Sequence, residues 1–249
     1  SRGPDGVQRT THARFCSIRC FGLFKGNPPK REPLMHEIAW VSGFYEGEGS
    51  VVRVPGPNVL VSIGQKTRWP LDRCMDLFGG VIRLRHMSQS ASSVVSTTTP
   101  CDLYEWRITG PRASRFLLMI YSFLSPWRCE QIRVAYRRDP CPRPMSRVDL
   151  GRRNAVLEPL AIDVAWAAGI YEGEGTAVRV GGHCPFVAVT QKDPWLVARF
   201  RDLFGGHVGF HVSGNKWKTY KWGATGDRAR TFLAAVMPHL SPRRVTQAN

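Results

Sequence analysis

Acidic residues are scarce in this 249-residue sequence: 19 Asp and Glu stand against 35 Lys and Arg, a formal net charge of +16. Such an imbalance points to a polyanionic partner, with nucleic acid first. No apolar run approaches the roughly 18 residues of a membrane-spanning helix, and no basic amphipathic helix stands out, which sets an anionic membrane surface well behind. The N-terminal stretch is basic and polar, without the apolar core of a secretory leader, so the expected setting is intracellular. Cysteine is sparse as well. Seven are scattered through the chain, an odd number that suits buried or free thiols in a reducing compartment better than a disulfide framework. What is present in quantity is apolar residue, 43% of the chain, enough for one large or two small cores.

One stretch occurs twice. Val41-Ser42-Gly43-Phe44-Tyr45-Glu46-Gly47-Glu48-Gly49 returns as Ala167-Ala168-Gly169-Ile170-Tyr171-Glu172-Gly173-Glu174-Gly175, displaced by 174 − 48 = 126 positions. Each copy ends an apolar run with helical spacing: Ile38, Trp40, Val41 and Phe44 in the first, Val164, Trp166, Ala167 and Ile170 in the second. Each is read as the last turns of a helix. Glycine inside a helix costs about 1 kcal/mol relative to Ala, yet both copies carry two, Gly43 with Gly47 and Gly169 with Gly173. Small residues at that spacing let two backbones approach, so the two helices are expected to pack together. Glu48 and Glu174 would then emerge side by side at helix C-termini, where the dipole and each other's charge disfavour them. A divalent cation resolves that conflict, because hard cations take oxygen ligands and Mg²⁺ binds one or two carboxylates plus substrate phosphate.

At these residues the sequence resembles the LAGLIDADG homing endonucleases in their single-chain, two-motif form. Both copies have Gly-Glu where Ala-Asp is usual and Glu at the earlier acid, variants that keep the chemistry. The resemblance covers roughly residues 36 to 249. It implies that Glu48 and Glu174 are metal ligands, with Gly47 and Gly173 beside them. It implies Mg²⁺ as cofactor, Mn²⁺ as a substitute, and Ca²⁺ as an ion that supports binding without efficient cleavage.

The rest of the chain repeats in step. Arg, Gly and Pro dominate residues 1–35, a basic N-terminal arm in which Arg14 to Phe21 resembles the closing half of a small zinc finger. Cys16 and Cys20, even with His12, are too few for a four-ligand zinc site. Residues 36–138 form the first repeat, 139–158 a Pro- and Arg-rich linker, and 159–249 the second repeat. In the first repeat strands are expected over Ser50–Val54, Val59–Lys66, Val81–Met87 and Leu103–Thr109, with helices over Pro70–Phe78 and Pro111–Leu124 and a further helical segment to about Arg138. The Ser/Thr-rich stretch from Ser88 to Cys101 reads as a mobile loop over the ligand. Asp76-Leu77-Phe78-Gly79-Gly80 is answered by Asp202-Leu203-Phe204-Gly205-Gly206, and Leu124-Ser125-Pro126 by Leu240-Ser241-Pro242 after a shorter hairpin. The expected fold class is α+β: two pseudo-symmetric αββαββα repeats form a saddle of antiparallel sheets, with the two motif helices packed at its centre.

Alternation along the strands gives each sheet an apolar and a polar face. Arg53, Ser62, Lys66, Arg83, Arg85 and Arg107 are assigned to the outward row of the first repeat, and Arg179, Thr190, Lys192 and Lys221 to that of the second. His207, His211 and Arg68 complete the set expected to contact DNA, since such a ribbon fits the major groove. Gln65 and Gln191 fall on the inward row. If their strands end beneath the motif helices, these amides reach the carboxylates, as the matching residues do in the family. The family also places a basic residue after the last helix of each half, near the scissile phosphate. Arg128 matches in the first half, and either Arg243 or Arg244 in the second. Arginine does not give up a proton near neutrality, so water acidified by the cation must act as base. The alternative reading of these arginines is as cations favoured by a helix dipole.

These features lead to an expected monomeric, Mg²⁺-dependent endonuclease, acting in a bacterial or phage-infected cytoplasm or in an organelle. Its substrate would be a long, largely asymmetric site in double-stranded DNA, and its role intron mobility; no splicing residues flank the repeats. The alternatives are an intron RNA maturase, with host intron RNA as partner, and a DNA-binding protein of the same fold that has lost cleavage.

Overall fold

A computed structural model describes residues 27–55, 58–86, 102–137, 158–180, 184–212 and 218–248. Residues 1–26 of the basic arm, with Cys16 and Cys20, most of the linker and the Ser88–Cys101 loop lie outside the described residues. The first repeat runs α1 (Met35–Glu48), β1 (Gly49–Arg53), β2 (Val59–Gln65), α2 (Trp69–Phe78), β3 (Val81–His86), β4 (Asp102–Thr109), α3 (Pro111–Ile120) and α4 (Pro126–Arg137). The second repeats it with α5 (Ala161–Glu174), β5 (Gly175–Val180), β6 (Cys184–Gln191), α6 (Pro194–Phe204), β7 (His207–Val212), β8 (Lys218–Thr225), α7 (Gly226–Val236) and α8 (Pro242–Ala248). Each half has one antiparallel four-stranded sheet, in the orders β1-β2-β4-β3 and β5-β6-β8-β7. The helix expected over Pro111–Leu124 stops earlier, at Ile120, and finishes in a 3-10 turn over Tyr121–Phe123.

Local chemistry sets these boundaries. Proline at the first turn opens α3, α4, α6 and α8, where its fixed φ is helical and its missing N–H is no loss. The Gly-Gly pairs that close α2 and α6 are needed for their backbone: Gly79 and Gly205 have φ of 69° and 66°, and Gly80 and Gly206 have 102° and 90°. With no side chain in the way, the Gly79 carbonyl accepts the indole N–H of Trp106 at 2.8 Å, and the Gly205 carbonyl that of Trp222 at 2.7 Å. Each helix end is thereby bonded to a fully buried tryptophan in the middle of its sheet.

The helices cover one face of each sheet. Val59, Val61, Ile63, Trp106 and Ile108 of the first sheet point into the core, with Val187, Val189, Trp222 and Ala224 in the matching places of the second. The two cores meet at α1 and α5, which pack along their length. A Cβ at Gly43 would run into the carbonyl oxygen of Trp166, and one at Gly169 into that of Trp40. Gly47 in turn lies beside Glu174, and Gly173 beside Glu48, so the helices run parallel with their C-termini together. Replacement of Gly43 or Gly169 by Ala is therefore expected to wedge backbone from backbone and to cost about 1–3 kcal/mol or more. Thermal unfolding of Gly169→Ala should show a midpoint several degrees lower; an unchanged midpoint would contradict the close approach.

Candidate active site

The motif helices end at Glu48 and Glu174, and their approach decides where these side chains lie. A Cβ at Gly173 would sit 2.9 Å from the Glu48 Cγ, and one at Gly47 would sit 3.0 Å from the Glu174 Cγ. Each carboxylate thus rests on the last helical glycine of the opposite repeat. The inward-row glutamines arrive from the ends of β2 and β6. Gln65 Nε2 donates to Glu48 Oε1 at 2.9 Å, and Gln191 Nε2 donates to Glu174 Oε1 at 2.8 Å. Each amide oxygen accepts the N–H of the following lysine, at 2.9 Å from Lys66 and 3.3 Å from Lys192, which fixes which way the amide faces. Burial pushes the Glu48 carboxyl up to about 7, with the Glu174 charge adding to the effect and Arg244 and Arg128 opposing it. Glu174 is raised by burial too, and the Gln191 hydrogen bond holds it back.

The earlier acids of the two motifs are buried, not solvated. Glu46 is 2% exposed and Glu172 is 3% exposed. Glu46 accepts the backbone N–H of Ser125 at 2.9 Å and its hydroxyl at 2.7 Å; Glu172 accepts the same pair from Ser241 at 2.8 and 2.7 Å. Both serines sit just before the first residue of α4 or α8, where a carboxylate satisfies free N–H groups and complements the helix dipole. Burial still pushes Glu46 up to about 7, against the pull of Arg128 and the Ser125 donors. The serines were missed as part of the site, although the repeated Leu-Ser-Pro was the signal.

Arg128 and Arg244 both contact the ends of the motif helices. Arg128 donates through Nε and Nη2 to the Glu46 carbonyl at 3.2 and 2.8 Å, and through Nη1 to Gln131. Arg244 donates to the carbonyls of Glu172, Gly173 and Gly175 at 2.9, 3.0 and 2.8 Å. These guanidinium groups are spent on the carbonyls that end the motif helices. Both sit at the C-terminal end of a motif helix, where a cation is favoured, and their charge reaches the Glu48 carboxylate through space. Arg243 is exposed and, with Arg244, lines a cavity of about 260 Å³ that also holds Glu48, Gln65, Lys66 and Gly173. Trp127 occupies its place in the first half.

Strand register corrects two further assignments. Arg53 pairs with Val59 and Arg179 with Pro185, in phase with buried Val61 and Val187, so both lie on the helix side of their sheets. Arg53 Nη1 donates to the Tyr136 carbonyl in the last turn of α4 at 2.7 Å, a C-terminal cation in its favoured place. Arg179 shares a cavity wall with Pro185, Met237 and Gln247. The outer row holds Ser62, Lys66, Arg83, Arg85 and Arg107 in the first half, and Thr190, Lys192, His207, His211 and Lys221 in the second. Arg68 is exposed beside α2 and pairs with Asp72 at 2.9 Å. Buried Glu105 also belongs to the outer row, where Arg107 Nη2 and Arg85 Nε approach it at 2.7 and 3.1 Å. It clamps two of the outer-row arginines.

Among the described residues no group of three or more His, Cys, Asp or Glu could hold a metal. Two carboxylates on glycine, backed by amides, suit a hard cation whose remaining ligands are water and phosphate; they do not suit a structural zinc. Gly173, expected among the metal residues, has its carbonyl bonded to Arg244. The raised Glu48 carboxyl has a consequence for stability. A native pKa above the unfolded value means that the folded state binds more protons between about 4.5 and 7, so stability falls as pH rises through that window and the penalty is complete above it. Glu48→Gln should flatten this dependence and, with chelator present, raise stability at pH 7.5 by on the order of 1 kcal/mol. Denaturant melts at pH 5.5 and 7.5 would check it, and parallel curves for the two proteins would refute the assignment.

The sequence matches no family model and no curated protein. Among solved structures, the homing endonuclease I-WcaI bound to its DNA recognition sequence matches at 9% identity and a TM-score of 0.53, covering 88% of this chain and 88% of that one. I-SmaMI bound to an uncleaved DNA target with calcium ions matches at 13% identity and a TM-score of 0.45, over 85% of this chain and 96% of that one. The I-LtrWI LAGLIDADG homing endonuclease bound to target DNA matches at 14% identity and a TM-score of 0.43, over 82% and 84%. The doubled motif, the two sheets of like order and the I-WcaI match agree: this chain has the two-repeat fold of the single-chain LAGLIDADG homing endonucleases.

Proposed function

We propose that the protein is a site-specific endonuclease of the homing type. It would use Mg²⁺ to hydrolyse one phosphodiester in each strand of a long, mostly asymmetric duplex site. The observation that carries this reading is the pair Glu48 and Glu174, set on each other's helix at the junction of two sheets and each held by its own glutamine. Glu48 and Glu174 would hold the cation, which when bound polarises phosphoryl oxygens and acidifies water. Mn²⁺ should substitute, and Ca²⁺ should support binding with little cutting. The remaining work falls to this chain. Gln65 and Gln191 orient the carboxylates and have amide protons to position water. Arg128 and Arg244 neutralise the helix-end carbonyls, so that two acids can be held there at all. Arg243 lines the cavity beside Glu48, with Lys66 and Arg244, and would meet a phosphate there. Both acids come from one chain, so a monomer suffices, and promotion of intron mobility in a compartment with access to DNA is the corresponding role.

Incubation with a randomised duplex library and Mg²⁺, followed by sequencing of the cut ends, should yield one asymmetric consensus with 3′ overhangs. Glu48→Gln and Glu174→Gln should each slow cutting by about 100-fold or more. Wild-type rates on both strands in either variant would overturn the proposal, as would selective binding of structured RNA with no duplex selected.

The two neighbouring arginines should separate cleanly. Arg243→Ala should slow cleavage with no change in the unfolding midpoint. Arg244→Met should lower stability by about 1–3 kcal/mol, because several helix-end carbonyls lose their donor. The reverse pattern would restore Arg244 as the phosphate contact.

A further inference from the structure

The polar face of each sheet carries one apolar couple that the cationic reading of that face leaves out. Val52 pairs directly with Leu60, and Val178 with Phe186. The two couples stand 126 positions apart, as the motifs do, so they occupy equivalent places in the two repeats. Register puts them with Ser50 and Ser62, and with Thr176, Thr190 and Lys221, on the side that the helices do not cover. Val52 is 46% exposed and Val178 is 49% exposed. Phe186 lies flat on the strand beside it, so that a Cβ at Gly223 would be 3.1 Å from its ring, and Lys221 Nζ is 4.9 Å from the ring centre. An aliphatic group facing water inside a row of donors gains nothing from solvent. It gains from an apolar group carried by an otherwise polar ligand. The edges of a duplex offer one such group in the major groove, the 5-methyl of thymine.

We propose that the Val52–Leu60 and Val178–Phe186 couples read thymine methyls at two pseudo-symmetric positions of the target. The inference rests on the DNA-facing role proposed for these sheets and goes beyond it by naming the chemical group read. Val52 and Val178 each follow the motif carboxylate by four residues, about 13 Å along a strand at roughly 3.3 Å per residue. With about 3.4 Å per base pair along the duplex, the two thymines fall roughly three to five base pairs outward of the cuts.

Duplexes selected from a randomised library in Ca²⁺ provide the probe, so that binding is read without cleavage. Thymine should be enriched at those two distances. Deoxyuridine there, which removes only the methyl, should weaken binding roughly fourfold per site, and cytosine replaced by 5-methylcytosine at the same place should recover part of the loss. Val178→Ser should become indifferent to the uridine exchange in the second half while keeping it in the first, and Val52→Ser the reverse. Equal sensitivity to uridine in wild type and variants, or no thymine preference in the selected sites, would overturn the inference while leaving the DNA-binding reading intact. Failure to select any duplex would overturn both. If the selected duplexes bind but are not cut in Mg²⁺, only the nuclease reading falls.

Discussion

Backbone contact between α1 and α5 is the constraint from which the site follows. Helices with side chains at the crossing keep their axes 8–10 Å apart, and carboxylates at their ends could then be solvated separately. Glycine at positions 43 and 169 removes that separation. A Cβ on either would collide with the opposite main chain, so the last turns are forced together and Glu48 and Glu174 are delivered to one place. Burial of the Glu48 carboxyl at that place raises it, and the charge of Glu174 beside it adds to the effect. The glycines therefore bring two acids together at a place where a proton or a bound cation relieves their repulsion.

A second set of contacts keeps that arrangement from relaxing. Glu46 and Glu172 hold the starts of α4 and α8 through Ser125 and Ser241, and Arg128 and Arg244 return from those helices to the carbonyls at the ends of α1 and α5. Acid and arginine of each repeat are thus exchanged between two helix termini. Every buried charge meets opposite charge or a helix end of the right sign, the condition under which buried ions are tolerable. The earlier acid of the motif has a structural task in this scheme and the later acid a chemical one, although they are two residues apart.

Much of this was legible in the sequence because duplication supplies its own control. A doubled Gly-x-x-x-Gly, a doubled Gly-Glu-Gly and a constant offset gave the repeat, the helix pair and the meeting of the acids, and strand alternation put Gln65 and Gln191 on the inner row. Where alternation failed, the reason is visible. Val51 and Val52 are both apolar, so β1 has no phase of its own and Arg53 could be set on either row; Ala177 and Val178 leave β5 with the same ambiguity at Arg179. The contacts of Arg128 and Arg244 were not legible for another reason. Nothing in the order Ser-Pro-x-Arg shows that the guanidinium folds back onto a helix that ended about 80 residues earlier in the first repeat (128 − 48) and about 70 earlier in the second (244 − 174).

The two repeats share their scaffold and differ on the surface it presents. In the first, Arg83, Arg85 and Arg107 crowd the outer face and Glu105 clamps two of them; in the second, His207, Gly209, His211 and Lys221 stand in the corresponding strands. The second face is less charged and more open, since Gly209 has nothing within 4 Å of where a Cβ would be. At the pocket mouth the same divergence places Arg243 where the first half has Trp127. Core positions, helix glycines and the acids are held equal because both halves must meet at one axis, whereas each outer face is free to fit its own half of a ligand. Under the proposed function such a chain has no reason to prefer a palindrome, and its arginine-rich half should account for most of the salt dependence of DNA binding.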